Sequence, residues 1–100
     1  MKYNKLVRDR IPEIIRQKGD TPVTHIADDK EYWEKLKEKL LEEVKEFKKD
    51  ETEEELADIL EILDAVIEYK KFDKDEIENI KEEKAEKRGT FNKRIILDES

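Results

Sequence analysis

Trp33, Leu36, Leu40, Val44 and Phe47 recur every three or four positions, the spacing that lines one face of a helix with about 3.6 residues per turn. Asp28 or Asp29 can cap such a helix, which is predicted to run to about Lys49. Leu56, Ile59, Leu60, Leu63, Val66 and Ile67 form a second series after the turn signal DETEEE. Thr52 and Glu55 have capping-box spacing, so this helix is predicted from Glu53 to Lys71. Asp73 and Glu76 repeat the spacing ahead of a last helix that fades near Arg88 and Gly89. Upstream, Pro12 suits the first turn of a short helix that Gly19 stops. Residues 21–27 read as extended, and beyond Gly89 the apolar Phe91, Ile95, Ile96 and Leu97 predict an extended segment docked on the rest. Residues 1–100 thus read as one all-α domain built on an antiparallel helical hairpin, the core of a helical bundle.

Carboxylates interrupt the apolar faces. With Glu43 at zero on a projection of about 100° per residue, Leu36, Phe47, Leu40 and Trp33 fall between about 20° and about 80°, and Tyr32 at about −20°. Glu43 therefore lies inside the stripe, and Glu46 flanks it one turn on. The next helix carries a second strip of Asp58, Ile62, Ala65 and Tyr69, with Glu55 at its edge. Two apolar strips predict two contacts, one within the chain and one with another helix or subunit through the strip around Ile62 and Tyr69.

Composition narrows the chemistry. Charged residues are 51% of the 100, and 29 acidic against 22 basic side chains give a net charge of −7, which argues against broad nucleic-acid binding. With no cysteine and one histidine, His25, a metal would have to be held by carboxylates. The chain lacks both an apolar run of about 20 residues and a secretory signal, so no membrane partner and a cytoplasmic location are expected. A domain this small buries a modest fraction of its surface, which favours a partner subunit.

Several carboxylates facing a packed interface repel one another and lose hydration unless positive charge balances them. Magnesium is a hard cation that takes oxygen ligands and shares its shell with phosphates. Glu43, Glu46, Glu55 and Asp58, two pairs spaced by three on adjoining helices, form a coherent ligand set. The plainer alternatives are that Glu43 pairs with Lys39, that Glu46 is solvated, and that Glu55 serves only the capping box.

Taken together, KLLEEVKEF followed by EELADILEILDAV resembles the ExxE and ExxD signature of the all-α, MazG-like nucleoside triphosphate pyrophosphohydrolases. Glu43 and Glu46 match the first pair, and Glu55 and Asp58 the second. The opening YNKLVRDRIPEII and the ending KRGTFNKRIIL resemble the ends of a small single-domain subgroup. Eight residues separate Glu46 from Glu55, fewer than in many members. A short connection accommodates this if both helices keep their faces.

The resemblance implies a MazG-like bundle completed by oligomerisation, as a homodimer or dimer of dimers. It also implies hydrolysis of a nucleoside triphosphate between its α and β phosphates, with magnesium, or manganese in its place, on the four carboxylates, and a house-cleaning role that removes noncanonical nucleotides. Glu46 is assigned the base-like role. Arg8, Arg10, Lys84, Lys87, Arg88 and Arg94 are the candidate phosphate contacts, with Arg8 and Arg88 preferred. For Lys84, Lys87 and Arg88 the alternative is that they complement a helix C-terminus. Trp33, Tyr3 or Phe91 could stack on a base, although Trp33 continues the core stripe. The competing functional readings are a noncatalytic helical interaction protein and a nucleotide-binding regulator.

Overall fold

The computed structural model describes residues 4–100; Tyr3, a candidate for base stacking, lies outside them. Four helices follow in order: α1 (Ile11–Gln17), α2 (Asp29–Lys49), α3 (Glu53–Lys70) and α4 (Lys74–Arg88). No strand occurs among the described residues, and 21–27 is irregular chain. The fold class is all-α.

Local side-chain chemistry sets the helix ends. Asp28 Oδ1 accepts the Glu31 N–H at 2.9 Å and starts α2, whose acidic first turn and basic last turn suit the helix dipole. Thr52 Oγ1 accepts the Glu55 N–H at 3.2 Å to start α3. Asp73 Oδ1 accepts from Asp75 and Glu76 to start α4. The expected capping box at α3 is only half formed. The Thr52 N–H donates to Asp50 O at 2.8 Å, so the Glu55 side chain is not engaged there. At the other end of α3, Lys71 adopts φ 58°, with Phe72 N–H donating to Ile67 O and Lys71 N–H to Glu68 O. This is a Schellman ending with lysine where glycine is usual.

Helix α3 packs antiparallel on α2. Trp33 stacks on Tyr69, with ring centroids 5.2 Å apart and planes at 7°. Tyr32 tilts against the same tyrosine, whose hydroxyl donates to Asp29 O at 3.2 Å. One turn along, Leu36 is 1% exposed, the single fully buried apolar side chain among the described residues. The strip containing Ile62, Ala65 and Tyr69 is half-buried, while Leu56, Leu60 and Leu63 are exposed, Leu60 at 56%.

This corrects the expected division of faces. The strip around Ile62 and Tyr69 serves the intrachain contact, because Tyr69 finds its aromatic partners on α2; the leucine row points outward. The second correction concerns the C-terminus. Phe91, Ile95, Ile96 and Leu97 are 78% to 98% exposed, so the segment after Gly89 does not dock on its own chain. With α4 and this segment reaching away from the hairpin, the radius of gyration is 18.0 Å, against about 13 Å for a compact chain of this length. Among the described residues no helix is long and apolar enough to cross a membrane.

Candidate functional site

The antiparallel pairing brings the last turns of α2 beside the first turns of α3. Glu43, on the inward face of α2, has a side chain only 12% exposed. Glu55 and Asp58 come from the strip of α3 that faces α2, and both are half-buried. One carboxylate oxygen from each of Glu43, Glu55 and Asp58 lies within 4.8 Å of the other two. The aromatic contact at the far end helps set the rotation of α3 that turns these acids inward.

Two of the three have a cation partner. Lys39 Nζ is 3.3 Å from Glu43, so the pairing predicted as the plainer alternative for Glu43 is present. Arg8 Nη2 donates to Asp58 Oδ1 at 2.8 Å. Lys5 Nζ reaches Glu42 at 3.2 Å, and together these pairs lay the N-terminal arm across the hairpin. Glu55 has no ion-pair partner among the described residues. Its carboxyl is pushed above the ordinary glutamate range by desolvation, then by the negative charges of Asp58, Glu43, Glu46 and Asp50.

Acidic groups also gather on helix surfaces without holding an ion, so proximity alone assigns nothing. What fits a metal here is the donor chemistry: an oxygen-only set suited to a hard cation, on a backbone pairing that holds the carboxylates together, with Glu55 crowded by like charge. Glu43, Glu55 and Asp58 could hold such an ion. Glu46 is exposed and stands outside the triad, near enough for its charge to act on Glu55.

The basic candidates separate. Arg8 is at the triad. Arg10 is exposed at the start of α1, Lys84, Lys87 and Arg88 are exposed on the last turns of α4, and Arg94 is exposed with φ 58°. None of these five forms an ion pair among the described residues. Trp33 is committed to Tyr69 on one side, and Lys70 Nζ lies 4.5 Å from its ring centroid, which supports its assignment to the hairpin contact. Phe91 is 98% exposed and free of the core. His25 Nε2 meets the Glu31 carboxylate at 2.9 Å, tying the irregular segment to α2, away from the triad.

Sequence reasoning placed Arg8 among phosphate contacts but missed its partner. Fifty residues separate it from Asp58, and opposite charge alone cannot select one pair in a chain with this many acids and bases.

The chain is 54% identical over 48 residues to an uncharacterized protein of Mycolicibacterium smegmatis, a match covering 48% of this chain and 49% of that protein. The aligned region thus spans about half the length of that relative. No family model and no solved structure matches the chain.

Proposed function

We propose that the chain is a magnesium-dependent nucleoside triphosphate pyrophosphohydrolase that acts in the cytoplasm as a self-associating MazG-like helical subunit. The observation that supports this most is the convergence of Glu43, Glu55 and Asp58 oxygens between two helices, at the positions where the sequence resembles the ExxE and ExxD pairs. Water adds across the anhydride between the α and β phosphates. Its oxygen joins one phosphorus, the bridging oxygen leaves with the other, and a nucleoside monophosphate and pyrophosphate result. Glu43, Glu55 and Asp58 would hold a magnesium ion, which would neutralise phosphate charge and favour ionisation of the attacking water.

The chain's own residues supply the rest. Glu46, outside the triad that would hold the ion, is placed to orient the attacking water and take its proton. Arg8, on Asp58 in this structure, can donate two parallel hydrogen bonds to a phosphate. Arg10, Lys84, Lys87, Arg88 and Arg94 stand apart from the triad within one chain, so they would donate to a phosphate only where a second copy brings them to the site, and exposed Phe91 is available to stack on a base. The test is pyrophosphate release from a panel of canonical and modified nucleoside triphosphates, with and without magnesium. Release that requires magnesium and disappears in a folded Glu43→Gln variant is the expected result; no release across the panel overturns the assignment.

A second reading, a noncatalytic helical interaction protein, is favoured by the exposed leucine row on α3. It requires tight association without magnesium-dependent turnover. The same assay, combined with a measurement of mass in solution, separates the two readings.

A further inference from the structure

The N-terminal arm is fastened to the α2–α3 hairpin beside the triad. Lys5 Nζ lies 3.2 Å from Glu42, Arg8 Nη2 lies 2.8 Å from Asp58 Oδ1, and Leu6 between them is half-buried. The Arg8–Asp58 pair is open to water, with side chains 59% and 40% exposed, and exposed pairs of this kind contribute little to stability. Among the described residues, Arg8 is nonetheless the one cation that a segment outside the hairpin brings into an ion pair with the triad. Lys39, on Glu43, belongs to the same helix as its partner and sits one turn away. Three carboxylates thus share two single positive charges, and Glu55 has neither.

We infer that the arm is a strap over the triad: Arg8 and a divalent cation compete for Asp58, and binding the ion releases the arm from the hairpin. The inference rests on the reading of Glu43, Glu55 and Asp58 as ion ligands. Without an ion, the guanidinium supplies countercharge that the cluster otherwise lacks. An ion held by oxygens of all three residues brings a double positive charge to the same place. Guanidinium and ion then face each other across one carboxylate, and like charges that close repel. The ion engages three carboxylates and Arg8 only one, so Arg8 is the group that yields. Such coupling is reciprocal: the factor by which the docked arm lowers ion affinity is the factor by which the bound ion weakens docking of the arm. An exposed ion pair sets that factor at about two- to fivefold.

The test compares full-length wild type, Arg8→Gln and Arg10→Gln. Arg10 is exposed and forms no ion pair among the described residues, so its variant controls for the loss of one positive charge from the same arm. Manganese affinity is read by electron paramagnetic resonance, and motion of residues 5–8 by backbone amide relaxation in nuclear magnetic resonance, with and without saturating magnesium. Arg8→Gln is expected to bind manganese about two- to fivefold more tightly than wild type, and Arg10→Gln to bind like wild type. In the wild type, order parameters of residues 5–8 should fall when magnesium is added. Absence of manganese binding in all three chains overturns the reading of the triad as ion ligands, and the strap with it. Affinity that is equal in wild type and Arg8→Gln, or weaker in the variant, leaves the ion ligands standing and overturns the strap. An equal gain in Arg10→Gln assigns the effect to net charge instead of contact and also overturns it. The relaxation measurement needs no variant: an arm equally rigid with and without magnesium overturns the strap even if Arg8→Gln fails to fold.

Discussion

At the open end of the α2–α3 hairpin, Trp33 lies flat on Tyr69 and Leu36 is buried one turn away. At the turn end, about 15 Å along α2, three carboxylates share one small volume. The first arrangement lowers the energy of the folded chain through apolar burial and aromatic stacking. In the second, Lys39 and Arg8 offset Glu43 and Asp58, whereas Glu55 has no cation beside it and is crowded by like charge, which raises the energy of its ionised form. A two-helix element can carry an unfavourable cluster at one end when the other end fixes the pairing. The difference implies that substitutions at the turn end alter chemistry with little loss of stability, and that those at the open end do the reverse.

The largest effect that would sharpen this division is on activity. Glu43→Gln is expected to lower magnesium-dependent pyrophosphate release by more than about 100-fold, with a melting temperature equal to or above that of the wild type. A folded variant with full activity would remove Glu43 from the site. A strongly destabilised one would make it a structural residue and break the division. At the open end, Leu36→Ala should cost about 2–5 kcal/mol in urea denaturation. The folded fraction should still bind manganese with wild-type affinity, as read by electron paramagnetic resonance.

Smaller effects probe the details of the open end. Tyr69→Phe removes the hydroxyl that donates to Asp29 O but keeps the ring stack, so a loss of about 1 kcal/mol or less is expected. Lys71→Gly replaces a side chain held at φ 58° and should raise stability by up to about 1 kcal/mol. Equal melting curves for wild type and the glycine variant would show that the Schellman ending carries no strain.

The sequence made local features legible and left rotations and long-range pairings open. Asp28, Thr52 and Asp73 announce helix starts because an N-cap acts on donors two or three residues away, and the helix bounds agree with the periodicity to within about a residue. Periodicity shows two strips on α3, but the face that meets α2 is centred on the strip with Ile62 and Tyr69 and takes in Ile59 and Val66 from the other. Periodicity reports that a face is apolar and says nothing of where its partner lies. Tyr69 decides the matter by finding Trp33 and Tyr32, residues with no special spacing to it. The same choice places Glu55 and Asp58 beside Glu43, so the triad was legible as residues and legible as a cluster only once the rotation was known. The C-terminal segment announced itself as apolar, but one chain offers it no cover.

The smallest expected effect concerns Glu55, which distinguishes the turn end by charge alone. Its carboxyl titrates above the ordinary value of 4.5 in the folded chain, so the folded state holds the proton more tightly than the unfolded state does. Stability from this group is fully present below the unfolded pKa and is lost as pH rises through the folded one. In metal-free protein the wild type should therefore lose stability relative to Glu55→Gln as pH climbs out of the acidic range toward neutrality. Subtracting the two denaturation profiles cancels carboxylates whose titration the substitution leaves unchanged. A difference that is flat with pH would mean that Glu55 is not crowded by its neighbours. Saturating magnesium should reverse the difference near neutral pH, because the wild type then offers an ionised ligand that glutamine lacks. If magnesium left it unchanged, the crowding would be real but the triad would not be holding the ion through Glu55.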